Sequence, residues 1–262
     1  MPAFKKHNDV EKGAAARDLE TSDSSSSDYV PQSGAPEGGA TFHDNRNITP
    51  GGHPLDRSQP AFPTYHRRFA NPAPLGLSAF GLTTFMLSLI NLSTRGVVVP
   101  NVVVGPAMWY GGLAQLLAGM WEFAVGNTFG ATAFSSYGAF WLSYAFIVSP
   151  WSGIAGSYEV EADFASGVAF FLFGFFIFTT IMTIASIRSS VALFMVFLTV
   201  DLTFLMLGIS ELGISSAAHF KTAGGSLGIV AAFLAWYVAA ASLITPDTAY
   251  ISLPVIDLSR KD

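Results

Sequence analysis

The sequence lacks cysteine and has few charges. Its 262 residues include no cysteine, which excludes disulfide frameworks, thiol catalysis and cysteine-ligated metals. Charged residues make up 12% of the chain, about half the share found in soluble domains. Between residues 75 and 245 the only Lys and Arg residues are Arg95, Arg188 and Lys221. These shortages exclude an ordinary soluble domain and indicate a membrane protein.

The chain also lacks the motifs of most enzyme and targeting classes. It has no H-E-x-x-H motif, no P-loop and no cluster of metal ligands. GGSLG at 224–228 matches the serine-hydrolase pattern, but that motif needs a strand, a sharp turn and a helix, and here it opens an apolar helix. Residues 1–70 show no secretory signal. We therefore predict no enzymatic activity, no cofactor or metal and no nucleic-acid partner.

Residues 1–70 are rich in Ser, Gly, Pro and charge, with eight of the 13 Lys and Arg residues. Such a segment buries too little apolar surface to offset the entropy of ordering. We predict a disordered cytoplasmic N-terminal tail, whose serines among acidic residues are either phosphorylation sites or simply solvated.

Long apolar runs fill the rest of the chain. They lie at 75–93, 99–124, 132–149, 164–186, 191–212 and 222–244. At 1.5 Å per residue, runs of this length cross a hydrocarbon core about 30 Å thick as helices. The sequence thus predicts an all-α membrane protein, with six transmembrane helices in a domain over 71–245 and a cytoplasmic C-terminal tail over 246–262.

Charge in the connecting segments predicts the orientation. An even number of crossings places both termini on one side, and the basic HRR segment at 66–68 marks that side as cytoplasmic. Arg188 and the acidic loop YEVEADF agree with this orientation, whereas Arg95 and Lys221 oppose it.

Two helices have distinctive faces. Helix six places Gly224, Gly228 and Ala231 near a four-residue spacing, which predicts a face where helix backbones pack closely. Helix four contains FFLFGFFIF, a bulky surface that suits either lipid or a neighbouring subunit.

Three acidic residues lie within or near the spans: Glu122, Asp201 and Glu211. A charge at the bilayer centre costs roughly 2.5–3.5 kcal/mol, so these side chains should avoid lipid. Glu211 falls near a helix end, where solvation is expected. Gln115, Gly119 and Glu122 share one helix face, which either contacts a passing solute or holds a helix interface. Asp201 is a proton-relay carboxyl, a buried partner for a hydroxyl, or a residue facing water.

Aromatic side chains form a further stripe on helix three. Tyr137, Trp141 and Tyr144 recur at i, i+4 and i+7. Such stripes are usually core, and the Tyr137 hydroxyl is as well suited to bonding a neighbouring helix as to facing a pore.

Three motifs in order resemble one family. NPAPLGL at the start of helix one, YGGLAQLLAGMWEF at 110–123 and GNTFGATAFSSYGAFW at 126–141 are similar to segments of the acetate uptake transporter family. The resemblance implies six helices per subunit, a homo-hexamer in the plasma membrane and a solute path in each subunit for acetate and related short monocarboxylates. It also implies an apolar constriction at Phe80, Tyr137 and Leu198.

The resemblance gives the polar residues an expected ligand. That ligand is acetate, and the pKa of acetic acid should be near that of a Glu side chain, about 4.3. Acetate is therefore mostly anionic at neutral pH and crosses hydrocarbon poorly. We expect Asn71 and Pro72 either to form the mouth of the path or only to end the tail and pack against a neighbouring helix. Gln115, Thr84 and Tyr137 are expected to replace water along the path. Glu122 and Asp201 are the candidate proton relays.

The mode of transport stays open at this stage. A proton-coupled carrier is the leading hypothesis, and a passive anion channel or a membrane acetate sensor that signals through its tail are the alternatives. Ammonium transport is disfavoured, because the membrane region offers no pair of histidines.

Overall fold

The computed structural model describes residues 69–245 and 249–259, and six long helices make up most of them. Their bounds are α1 Ala73–Asn91, α2 Pro100–Val125, α3 Thr128–Val148, α4 Glu161–Ser186, α5 Val191–Ser210 and α6 Ala217–Leu243. The predicted all-α class is confirmed. The predicted N-terminal tail lies outside the described residues except for its last two.

Five of the six helices, α1, α2, α4, α5 and α6, are long and apolar enough to cross a membrane. Helix α3 has 21 residues, which is long enough at 1.5 Å per residue. Its Ser, Thr, Gly and Tyr residues make it less apolar than the others. The chain is therefore an all-α membrane protein with five clear candidate spans, and a sixth crossing by α3 remains a proposal.

Four helices begin earlier than their apolar runs, and one of them is α4, which begins at Glu161, three residues before its run. Helix α1 starts at Ala73 because Pro72 and Pro74 fall at its N-terminus, where a missing N–H costs nothing. The prolines start the helix and do not break it. Helix α3 starts at Thr128 because the Asn127 side chain accepts the Gly130 N–H at 3.0 Å, a typical N-cap. Helix α6 begins five residues before its predicted start, and its first six residues include His219, Lys221 and Thr222.

Helix α2 has two segments that are not α-helical, of four and six residues among its 26. It opens with a 3₁₀ turn at Pro100–Val103 and contains a π-helical segment at Trp109–Ala114. Gly111 of this segment lies against Thr83 of α1, so closely that a Cβ would overlap the threonine side chain. π-Helical segments are frequent at functional sites, and this one ends immediately before Gln115.

Small residues set the helix packing. Helix α1 packs on α6, α6 on α5, α5 on α4, and α2 on α3. Gly228 of α6 faces Ser88 of α1, and Gly224 faces Leu207 of α5. Ala231 is fully buried on the same face. The close-packing face predicted for helix six is confirmed.

Helix α4 divides its aromatic and aliphatic side chains between two surroundings. Phe171 and Phe175 pack inward against Phe140 of α3, with ring centroids 5.3 and 4.8 Å away. Phe170 and Ile177 point outward and are 70% and 62% exposed. Only the outer face is left to lipid or to another subunit.

The C-terminal segment pairs with the loop between α4 and α5. Val191 donates its backbone N–H to the Ile256 carbonyl at 2.9 Å, and Leu258 donates to the Ser189 carbonyl at 3.0 Å. The Tyr237 hydroxyl donates to the Pro254 carbonyl. These bonds fix the segment at the end of the bundle where α6 ends and α5 begins.

Candidate functional site

Two cavities lie inside the helix bundle, toward opposite ends of it. The tail-side cavity, of about 210 Å³, lies where α1 begins and α6 ends, and is lined by Ala73 and Ser242 among others. The loop-side cavity, of about 220 Å³, lies toward the other end and is lined by Ser88 and Leu207 among others. Both are smaller than the roughly 300–1,000 Å³ of a drug-sized pocket, so they suit a solute of a few atoms.

An apolar partition separates the two cavities. Phe80 and Val200 line both of them, Tyr137 lines the tail-side cavity and Phe204 the loop-side cavity. The Tyr137 ring lies 6.1 Å from the Phe80 ring and 6.4 Å from the Phe204 ring, between centroids. We call these four residues the apolar partition. Phe80 and Tyr137 thus stand together where the cavities meet.

Leu198 has a different position. It is half-buried and lines neither cavity. Residues two apart on a helix do not share a face, so Leu198 cannot point into the cavities together with Val200, which lines both of them. The structure brings Phe80 and Tyr137 together with Val200 and leaves Leu198 aside.

The Tyr137 hydroxyl is bonded to a neighbouring helix. It donates to Thr179 Oγ1 of α4 at 2.9 Å, and that hydroxyl donates to the Phe175 carbonyl at 2.6 Å. Of the two interpretations of this hydroxyl, the structure supports the interhelical bond. The ring of Tyr137 lines the cavity while its hydroxyl ties α3 to α4.

Three buried polar side chains in the cavity linings have atoms without a hydrogen-bond partner among the described residues. Thr84 Oγ1 and Trp141 Nε1 lie in the loop-side lining, and Gln115 Oε1 lies in the tail-side lining. Their side chains are 8%, 3% and 1% exposed, respectively. Buried polar groups are nearly always paired, and a threonine hydroxyl and an indole N–H can both donate to a carboxylate. The loop-side cavity therefore offers two free donors beside the partition.

Glu122 lies at the interface of α2 and α3 and not in a cavity lining. It is 1% exposed, its carboxyl is bonded by the Asn127 side chain, and it packs against Gly130. Gly119, on the same face, lies against Ser135 of α3. The predicted stripe is therefore divided: Gln115 reaches a cavity, whereas Gly119 and Glu122 hold the helix interface.

Asp201 lies between α4 and α5. It is 8% exposed, and its carboxylate oxygens accept the Thr180 hydroxyl at 3.0 and 3.3 Å. It lines neither cavity. This contact agrees with one of the three interpretations of Asp201, that of a buried partner for a hydroxyl.

Asn71 and Pro72 lie at the tail-side end of α1. The Asn71 carbonyl oxygen Oδ1 accepts the Ala73 N–H at 3.0 Å, which satisfies one of the free N–H groups of the helix start. Asn71 is exposed and is not in the cavity lining, although Ala73 is. The side-chain NH₂ group is the part of Asn71 left to meet a solute.

Replacing Asn71 by Asp separates its two roles. Asp keeps the oxygen that accepts the Ala73 N–H but removes the NH₂ donor, whereas Ala removes both. If the donor meets an anionic solute, both variants will raise the half-saturating concentration, and Asp at least as much as Ala because its charge repels anions. The opposite result is an Asp variant with an unchanged half-saturating concentration at matched surface expression, together with an Ala variant destabilised by about 1 kcal/mol. That result would show that Asn71 acts only as a helix cap.

A pair of opposite charges lines the loop-side cavity. Glu211 follows directly on the last residue of α5, and Lys221 lies in the second turn of α6. Burial raises the pKa of the Glu211 carboxyl above its usual value, and the positive charge of Lys221 offsets part of that rise. The predicted position of Glu211 at a helix end is confirmed, but the side chain is half-buried and not simply solvated.

Sequence reasoning missed part of this site. Trp141 belonged to the predicted aromatic stripe, but its pattern matched an ordinary core. Val200 and Phe204 lie in a continuous apolar run, in which no residue stands out. Periodicity showed which residues share a face without showing which face borders the cavities.

The arrangement defines a class of protein. A helical bundle in a membrane, with two small cavities in line and free polar groups beside an apolar partition, is the architecture of a small-solute transporter or channel. The chain belongs to the GPR1/FUN34/yaaH family, because the sequence model of that family matches residues 55–260.

Relatives in fungi and bacteria agree with this family. The chain is 49% identical over 198 residues to acetate permease A of Emericella nidulans, covering 72% of this chain and 66% of that one. It is 45% identical over 196 residues to ammonia transport outward protein 2 of Saccharomyces cerevisiae, covering 74% and 69%. It is 34% identical over 190 residues to the succinate-acetate/proton symporter SatP of Escherichia coli, covering 72% and 96%. The chain thus spans about two thirds of the length of these fungal relatives.

One solved structure is also similar. The bacterial acetate channel SatP aligns with a TM-score of 0.64 at 31% sequence identity, covering 72% of this chain and 99% of that chain. The predicted family is thereby confirmed, and the fold is that of a known channel structure.

Proposed function

We propose that this protein moves acetate and related short monocarboxylates across the plasma membrane, through a path that joins the two cavities of each subunit. The observation that carries the proposal is the pair of free donors, Thr84 and Trp141, in a small cavity closed by the apolar partition. Donors held in a dry site compensate an anion for part of its lost water. The names of the fungal permease and the bacterial channel support the same ligand.

The partition would act as the gate and the size filter. Apolar constrictions in channels exclude water and ions until they widen. Phe80, Tyr137 and α5 would form this constriction, with Val200 favoured by the cavities and Leu198 by the family resemblance. Six crossings, both termini in the cytoplasm and a homo-hexamer complete the proposal, and the exposed outer face of α4 suits lipid or a subunit contact.

Proton coupling is the mode of transport we propose. A proton that travels with the anion neutralises it, which lowers the cost of crossing an apolar region. Glu122 and Asp201 are the buried carboxyl groups within the spans that would carry it. A passive channel is the second candidate, favoured by the description of the similar bacterial structure as a channel.

Labelled-acetate uptake tests the function and the mode together. Cells without their own carriers should show saturable uptake that rises as the external pH falls, because both the proton gradient and the protonated acid increase. Uptake above the equilibrium ratio, abolished by a protonophore, would establish coupling. Saturable uptake that never exceeds equilibrium would establish the passive channel.

Two outcomes would contradict the proposal. Uptake no greater than in cells with the empty vector, at confirmed surface expression, would remove the transport function. A signalling response to acetate that disappears on deletion of residues 1–60 would then favour a sensor. Saturable ammonium transport without acetate transport would point to the activity named for the ammonia protein of yeast.

A further inference from the structure

Lys221 is the only Lys or Arg residue among the described residues that line either cavity. Its side chain is exposed, so it stands where the loop-side cavity opens to solvent. The free donors Thr84 and Trp141 line the same cavity deeper in the bundle. A cation outside and two neutral donors inside form a sequence of sites suited to one anion.

Glu211 shares this opening with Lys221. Glu211, Lys221 and Tyr144 all line the cavity, and the positive charge of Lys221 offsets part of the rise that burial causes in the pKa of Glu211. The other elements around the cavity contribute side chains that do not titrate: α1 provides Ser88 and Asn91, and α4 provides apolar residues. The acidic residues at the start of α4 and His219 of α6 are outside the lining. Lys221 and Glu211 therefore set the charge of the opening.

We propose that Lys221 is an anion-capture site for small carboxylates at the loop-side opening, and that Glu211 competes with the solute for it. When Glu211 is ionised, its carboxylate occupies the field of Lys221 and repels a second carboxylate. When Glu211 is protonated, the lysine attracts the solute and passes it inward to Thr84 and Trp141. This inference rests on the proposed function and assigns an acid-dependent step to the same path.

Burial favours this competition in mildly acidic medium. Because the pKa of Glu211 is raised, the carboxyl gains its proton at a higher pH than an ordinary glutamate. The release of Lys221 consequently begins at a higher pH than it would beside an ordinary glutamate. Affinity for the anion should therefore rise as pH falls toward the pKa of Glu211.

Uptake kinetics of four variants test the proposal: Lys221→Gln, Lys221→Arg, Glu211→Gln and the Lys221→Gln/Glu211→Gln double variant. Lys221→Gln should raise the half-saturating acetate concentration roughly two- to fivefold, the range of an exposed charge pair, with little change in maximal rate. Lys221→Arg should restore it. Glu211→Gln should lower the half-saturating concentration at neutral pH to the acidic value, and the double variant should lose this gain. Arg188→Gln removes an exposed cation outside both linings and serves as the control.

Ionic strength provides a second readout. Salt screens exposed charges over about 8–10 Å, so raising it should weaken uptake by the wild type and leave Lys221→Gln unaffected. The inference would be overturned if the wild type took up acetate normally and Lys221→Gln had the same half-saturating concentration and the same salt dependence as the wild type. The proposed function would then still stand. No uptake by the wild type would overturn both.

Discussion

Phe80→Ala is expected to open the partition and let longer monocarboxylates through. Phe80 is the aromatic residue that lines both cavities, so removing its ring joins them. A methylene that fits or clashes in a tight apolar site is worth about 1–3 kcal/mol. Uptake of four-carbon acids relative to acetate should therefore increase roughly tenfold or more, measured by competition against labelled acetate at matched surface expression.

A control on the same helix isolates the effect of position. Phe85→Ala also removes a phenyl ring from α1, but Phe85 packs against Phe233 and Trp236 and lines neither cavity. It should reduce stability without changing selectivity. If Phe85→Ala broadened selectivity as much as Phe80→Ala, loosening of the bundle and not opening of the partition would be the cause. Phe80→Leu, which keeps much of the apolar volume, should stay near the wild type.

Helix α5 provides an internal comparison for the aliphatic residue of the partition, Val200. Val200→Ala and Leu198→Ala remove aliphatic groups from the same helix, but only Val200 lines the cavities. We expect broadened selectivity from Val200→Ala. The same change from Leu198→Ala alone would favour the family-implied position.

Removing the two free donors is expected to weaken binding strongly. Trp141→Phe deletes the indole N–H, and Thr84→Val deletes the hydroxyl at nearly constant shape. A hydrogen bond to a charged group contributes about 1.5–3 kcal/mol, so each variant should raise the half-saturating acetate concentration about tenfold or more. Concentration-dependent uptake measures this, with the maximal rate recorded separately.

The stability of the same variants distinguishes binding from packing. An unpaired buried donor costs desolvation energy, so Thr84→Val, which keeps the side-chain shape, should leave thermal stability equal or higher. Trp141→Phe also removes volume from the buried core and should lower it. Ser135→Ala is the matched control, because Ser135 Oγ is also buried and without a partner in the described residues but lies outside both linings. If Ser135→Ala weakened acetate uptake as much as Thr84→Val does, the result would argue against a donor site.

Several features of the fold follow from the sequence. Lipid provides no partner for backbone N–H and C=O groups, so runs of about 20 apolar residues must become helices. Five of the six runs meet this condition on length and hydropathy. Helix α3 does not, because the residues that serve its packing and its cavity wall are small or polar. Helix starts were misplaced because hydropathy does not register a capping Asn127 or polar residues, such as Lys221 and Thr222, within the first two turns of a helix.

The sequence by itself determined the membrane class, the number of long helices and the close-packing face of helix six, because each depends on composition or on spacing within one segment. Only the tertiary structure decided which polar groups are free and which are bonded. The Tyr137 hydroxyl meets Thr179, 42 residues away, and Asp201 meets Thr180, 21 residues away. Likewise, Val200 and not Leu198 lines the cavities because the rotation of α5 is fixed by its packing on α4 and α6. These pairings depend on contacts between helices, which no periodicity within one helix contains.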